Sequence, residues 1–361
     1  MPDAFGYALS LTVGLAMTVS LATLFRLFQK HIDGRPLLEY EPRQPAPWNV
    51  LAPLVMLAPL VFALWSTLFA GPQYDATAET TTLSATAAAG AVGAPPAAWF
   101  GSSAAAAPVL HLTRRMTDAG STTGRIWASA AMTLMLAACS YLLLTVAFGA
   151  TPQDLGFPRD WRQACGDVKI GAVAWAASLV PIYAILLVLN FAFEPTEGHP
   201  LIENLLVDHS LHMMAAAAFA AVIAAPLYEE TAFRLVLQGW LERRELLARR
   251  VSTIADVVQE VPGEAEATHG LDPSDAAPMP QTPAVTFAHP QVGWSPIAIS
   301  SVLFGLAHYG HGVSPAPLIL LGVVLGYLYR QTHRILPCIV CHLLFNAFTF
   351  VLLALQFAAM G

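Results

Sequence analysis

Charge is what this sequence has least of. Lys, Arg, Asp and Glu make up 11% of its 361 residues against 56% hydrophobic ones, and the mean hydropathy is +0.58. A water-compatible surface cannot be assembled from that composition, so a soluble globular domain is excluded and the bilayer is the natural solvent. The chain also lacks a basic stripe, and its net charge is -7, which excludes nucleic acid as a partner. Its four cysteines, Cys139, Cys165, Cys338 and Cys341, lie in or beside apolar segments and make no disulfide framework. No small-residue cleavage site follows the first apolar run, Phe5 to Phe25. Asp3 precedes that run and Arg26, Lys30 and Arg35 follow it, so it reads as a retained helix and not a signal peptide.

What the sequence has in quantity is apolar runs. A hydrocarbon core takes about 20 helical residues, and spans are expected at Phe5 to Phe25, Trp48 to Ala70, Ile126 to Phe148, Ile170 to Phe193, Met213 to Leu237, Pro296 to His308, Pro317 to Tyr329 and Ile335 to Leu355. The expected fold is all-α, a polytopic membrane helix bundle of about eight transmembrane segments. Arginine and lysine cluster after the first, fifth and seventh spans, which places those loops in the cytoplasm and both termini outside it. If the source is bacterial, the membrane is the inner one. Arg114, Arg115 and Arg125 then fall on the outer side unless the Leu83 to Leu112 stretch adds a crossing.

Residues 1–124 read as N-terminal membrane segments with a low-complexity loop over Gly71 to Gly124, and residues 125–361 as the functional core. A Pro-, Asp- and Glu-rich insertion, Ser252 to Val292, interrupts that core and shows no helical apolar period. The sixth and seventh spans are short and separated by Gly310, His311, Gly312 and two prolines, the pattern of a broken hairpin beside a cavity.

Three places carry chemistry. The fifth span contains Glu229, Glu230 and Arg234, charges that cost several kcal/mol each if they face lipid and so face the protein interior. Glu230 and Arg234 are four apart and share a helix face, while Glu229 is turned by roughly 100°. The sixth span ends on Phe304 and His308, and the eighth carries His342 and Asn346, again four apart. Glu229 and His342 are each expected roughly 10 Å deep from the cytoplasmic end, whereas His308 falls nearer the outer side. A carboxylate facing imidazole and amide groups suits the addition of water to an amide, with the carboxylate taking the proton and His or Asn donors stabilising the oxyanion. His311 is a reserve candidate in a Gly-rich turn. Cys338 to His342 also spells a haem-attachment signature, but it opens a buried helix, where such cysteines act as small hydrophobes.

The ordered motifs Glu-Glu-x-x-x-Arg, Phe-x-x-x-His and His-x-x-x-Asn resemble those of the CAAX-protease and bacteriocin-processing intramembrane peptidase family, over roughly Asp154 to Phe350. The resemblance implies a membrane endopeptidase related to type II CAAX prenyl endopeptidases. Glu229 would be the water-activating base, Glu230 and Arg234 its supporting pair, and His308, His342 and Asn346 the remaining catalytic groups. Glutamate-activated water without a metal is the favoured mechanism. The alternative has Glu229, His308 and His342 as ligands of a single divalent ion such as zinc. The expected partners are the bilayer and a membrane-bound peptide or protein substrate, admitted from the cytoplasmic side. The rival reading uses the same buried charges in a transporter or a non-catalytic binding module; internal repeats would favour a transporter, and none is present.

Overall fold

A computed structural model describes residues 2–69, 122–193, 205, 210–260, 292–309 and 315–360. The Leu83 to Leu112 stretch, most of both insertions and His311 lie outside those residues. Among them the chain is all-helical, as expected. The helices are α1 (Pro2–Ile32), α2 (Leu51–Phe69), α3 (Thr122–Phe148), α4 (Trp161–Ala192), a composite α5, α6 (Ser295–Leu306), α7 (Pro315–Thr332) and α8 (Leu336–Met360). Among the described residues, five stretches are long and apolar enough to cross a membrane: Ala4–Ile32, Thr122–Phe148, Trp161–Ala192, Leu211–Arg249 and Leu336–Ala359. The protein is therefore a helical integral membrane protein. Leu51–Val61 and Ser295–Leu306 are shorter apolar helices.

Helix α5 alternates between two windings. It runs as α-helix over Leu211–Ala218, as π-helix over Phe219–Ala224, as α-helix over Ala225–Glu230, as π-helix over Thr231–Gln238, and as α-helix again over Gly239–Glu260. A π turn closes its hydrogen bonds over five residues instead of four and is found mostly at functional positions. Here the two wide segments flank the paired glutamates. The helix also runs well past the expected end at Leu237, so that Ser252 to Glu260, read from sequence as the start of an insertion, continues α5. Polar and charged residues from Glu242 onward give this extension a low apolar content, which is why hydropathy alone ended the span too early.

Helices α6 and α7 form an antiparallel hairpin built on small residues. A Cβ at Gly305 would fall 2.4 Å from Ile319 Cγ1 and 2.7 Å from the Pro315 carbonyl oxygen, one at Gly322 would fall 2.9 Å from Ser301 Cα, and one at Gly326 would fall 3.0 Å from Ile297 Cγ2. Three contacts in antiparallel register let the two backbones approach closely, the usual way to gain dispersion between helices in lipid. The hairpin packs its inner face, including Phe304, Leu321, Leu325 and Tyr329, into the main apolar core with Phe233 and Leu237 of α5. Helix α1, by contrast, exposes large apolar side chains along its length. It is fastened by the buried Ser20, whose hydroxyl accepts from the Val180 amide next to Pro181 of α4.

Loops 33–50, 149–160 and 333–335 meet at one end of the bundle. The Glu41 amide donates to the Gln331 carbonyl at 2.8 Å and the Ile335 amide to the Gly156 carbonyl at 3.1 Å. Arg334 joins this end together by pairing with Glu41 and, at 2.8 Å, with Asp167 of α4. Arg243 of α5 donates to the carbonyls of Ala46, Pro47 and Trp48, and the fully buried Trp48 indole donates back to the Val236 carbonyl at 3.1 Å. The loop between α1 and α2 is thus a strap across the base of α5.

The hairpin register gives a direct test. Gly322→Ala sets a methyl group against a backbone atom that cannot rotate away, and overpacking of that kind costs about 1–3 kcal/mol. The melting temperature in detergent falls for this variant and stays put for Gly166→Ala, whose Cβ meets nothing within 4 Å.

Candidate active site

The short α-helical run between the two π segments, Ala225–Glu230, ends on the paired glutamates. Glu229, Glu230, Arg234, His308 and His342 are all buried, and they converge from α5, from the turn after α6 and from α8. Glu230 is the hub. Its Oε2 lies 3.2 Å from Arg234 Nε, an ion pair and not a directional hydrogen bond, and its Oε1 accepts from His342 Nδ1 at 2.8 Å. Arg234 extends the hub to α6, where Nη1 donates to Ser300 Oγ at 3.0 Å and the Ser300 hydroxyl donates to the Phe233 carbonyl at 2.9 Å. The guanidinium also lies over the Phe304 ring, 4.8 Å from its centroid. The same ring stands edge-on to both imidazoles, with centroids 5.1 Å from His308 and 5.7 Å from His342. One aromatic side chain therefore carries three of the site's polar groups, and Ser300 joins a motif in which the sequence had not singled it out.

Hydrogen bonding fixes the direction in which each imidazole faces. His308 Nδ1 lies 2.8 Å from the Phe304 carbonyl, which can only accept, so Nδ1 carries a proton. His342 Nδ1 is likewise a donor, to the Glu230 carboxylate. In the neutral tautomers both Nε2 atoms are acceptors, and both point at Glu229: His308 Nε2 is 3.9 Å from Oε1 and His342 Nε2 is 3.7 Å from Oε2. These separations exceed a direct hydrogen bond. A water molecule that donates to such a pair sits to one side of the line joining the two acceptors. One imidazole thus bonds Glu230 through Nδ1 and faces Glu229 through Nε2, which is how two adjacent residues about 100° apart on a helix come to serve one centre.

The depth problem with His308 disappears in three dimensions. Helix α5 continues far beyond Leu237, and Glu245 on that extension accepts from the Gly293 amide at 2.7 Å and the Ser295 hydroxyl at 3.2 Å at the start of α6. Helix α6 begins opposite Glu245, so its far end arrives level with Glu229. Asn346 stands elsewhere. One turn beyond His342, its amide donates to the Ala221 carbonyl of α5 at 2.8 Å, so its recorded partner is a helix backbone and not a side chain of the cluster.

The donor set of one carboxylate and two imidazoles is chemically suited to zinc. Among the described residues, however, no group of three His, Cys, Asp or Glu side chains is gathered at metal-ligand spacing, and no step below passes through a metal.

Residues 283–348 match the model of a protein family, described as type II CAAX prenyl endopeptidase Rce1-like. This part of the chain is similar to that family. The match agrees with the wider family that the three motifs resemble, a family of membrane proteases. The Rce1-like segment contains Phe304, His308, His342 and Asn346, while Glu229, Glu230 and Arg234 precede it on α5. No curated protein and no solved structure matched the chain.

The hub predicts an asymmetry in stability. Arg234→Met leaves Glu230 as an uncompensated buried charge, for which losses of about 3–5 kcal/mol are typical. Adding Glu230→Gln removes that charge and recovers part of the loss. Unfolding curves of the two variants in detergent check both values, and equal stability of wild type and Arg234→Met would contradict the pairing.

Proposed function

We propose that the chain is an intramembrane endopeptidase that hydrolyses a peptide bond in a membrane-associated, CAAX-like or lipidated substrate through water activated by Glu229. The observation that carries this reading is the placement of the Glu229 carboxylate opposite two imidazole Nε2 atoms, at 3.9 and 3.7 Å, with both Nδ1 atoms committed elsewhere. Water lying there donates one hydrogen to Glu229 and the other to an imidazole. Glu229 removes the first proton as the water oxygen adds to the scissile carbonyl carbon, giving a tetrahedral oxyanion. When the C–N bond breaks, Glu229 returns that proton to the leaving amine, and the new carboxyl terminus keeps the water oxygen.

The supporting groups have separate tasks. Glu230 fixes the His342 tautomer and ring orientation, as a carboxylate behind an imidazole does in other hydrolytic centres. Arg234 balances Glu230 and locks it to α6 through Ser300. With both imidazoles neutral the five side chains sum to one negative charge. A proton on His308 or His342 brings the cluster to neutrality and makes that Nε2 a donor to the oxyanion.

The same proposal places the basic loops in the cytoplasm, and in the inner membrane if the source is bacterial, with substrate approaching from that side. Phe233, Leu237, Leu328 and Tyr329 are buried between those loops and the glutamates, so admission on this reading is a parting of helices and not passage along a standing channel.

Cleavage of a farnesylated CAAX peptide by the purified protein in lipid nanodiscs, followed by mass spectrometry, tests the activity. Glu229→Gln is expected to lower turnover by roughly 10²- to 10⁴-fold, the range for loss of a general base, with the melting temperature held. His342→Ala falls in the same range. Wild-type turnover in either variant would remove that residue from the mechanism.

A further inference from the structure

Helix α5 reaches Glu229 through its first wide segment, Phe219–Ala224, in which the Ala225 amide donates to the Ala220 carbonyl five residues back. The next carbonyl in that pattern, Ala221, would take the amide of residue 226. Residue 226 is proline and has no N–H. The Ala221 carbonyl, on a residue only 8% exposed, is therefore left without a donor from its own helix. The Asn346 side-chain amide of α8 supplies one at 2.8 Å. Four residues earlier on the same face of α8, His342 donates to Glu230, also at 2.8 Å. Two bonds from one face of α8 to two levels of α5 fix both the slide and the rotation between the helices. Those two freedoms set the 3.7 Å separation of His342 Nε2 from Glu229.

We infer that Asn346 is a positioning residue whose acceptor is created by Pro226. The proline orphans the Ala221 carbonyl, and the Asn346 amide, bound to it, holds His342 in register with Glu229. The motif reading gave Asn346 a direct part in the chemistry; here it acts through His342. The effect on turnover rests on the peptidase reading above, whereas the coupling between Pro226 and Asn346 does not.

A double-mutant cycle separates the two. Wild type, Asn346→Ala, Pro226→Ala and the double variant are purified in detergent and measured for melting temperature. On the farnesylated peptide they are also measured for kcat and KM. In the wild-type background Asn346→Ala lowers the melting temperature and reduces kcat roughly 10- to 100-fold, the size seen for groups that orient a catalytic imidazole, with KM changed less. In the Pro226→Ala background residue 226 supplies its own N–H, so the same change leaves the melting temperature in place and most of the kcat loss disappears. Asn346→Leu, which keeps a similar volume without any hydrogen-bond donor, replaces the alanine variant if that one fails to fold.

Equal melting losses in both backgrounds overturn the coupling, whether or not any peptide is cleaved. Coupled melting temperatures with a kcat loss undiminished by Pro226→Ala overturn the positioning role and return Asn346 to contact with the reacting carbonyl. If wild type cleaves nothing, the peptidase reading fails while the melting comparison still decides the coupling.

Discussion

The ion pair between Glu230 and Arg234 is the constraint on which the rest of the site depends. Two adjacent carboxylates inside an apolar bundle repel one another and forfeit hydration. The chain resolves this by giving one of them a permanent counter-charge on its own helix, four residues on. Once Glu230 is neutralised in this way, its other oxygen is available to orient His342 from α8, and Arg234 is available to engage Ser300 and the Phe304 ring of α6. Three helices distant in sequence are thereby tied to one carboxylate. Glu229 is left facing the two imidazoles, and the division of labour between the paired residues follows from which one holds the arginine.

Packing supports that arrangement from two directions. The glycine-lined hairpin holds α6 close against α7, and its inner face meets α5 through Phe304, which stands edge-on to Phe233 with ring centroids 5.3 Å apart. At the opposite end the strap between α1 and α2, with Trp48 sealed against the second π segment and Arg243 holding three consecutive carbonyls, fixes the base of the same helix. The N-terminal segments, which carry none of the three motifs, therefore brace the helix that carries the glutamates. His333, in the left-handed region at φ 49°, closes the turn between α7 and α8 and is held by the strap through the Glu41 carbonyl and by Glu242 at 3.4 Å.

How much of this could be read in advance depends on the kind of signal involved. Charged residues in apolar runs are conspicuous because intramembrane charge is costly, so Glu229, Glu230, Arg234, His308 and His342 were visible as a set. Spacing of four also identified the Glu230 to Arg234 pairing. The winding of α5 was not visible, because no local propensity distinguishes a π turn, and the depth assigned to His308 suffered from ending α5 at the last apolar residue when the helix continues as an amphipathic extension. Ser300 was missed because a serine in an apolar helix is common and usually bonds its own backbone. Asn346 shows the reverse case: the motif drew attention to the residue, while its partner, a backbone carbonyl stripped of its donor by Pro226, is legible only once the hydrogen bonding of α5 is known. A proline inside a helix marks such a carbonyl in principle, but which neighbour satisfies it is a tertiary fact.

The central claim is that Glu229 acts as a base on water and not as a nucleophile on the substrate. A single turnover of a farnesylated CAAX peptide in water enriched in heavy oxygen tests it directly, with the new carboxyl terminus weighed by mass spectrometry. The account predicts that the first product already carries one heavy oxygen in that carboxylate and that Glu229 itself stays unlabelled. An unlabelled first product, with heavy oxygen found in the Glu229 side chain, would show that the carboxylate attacked the substrate and would contradict the mechanism.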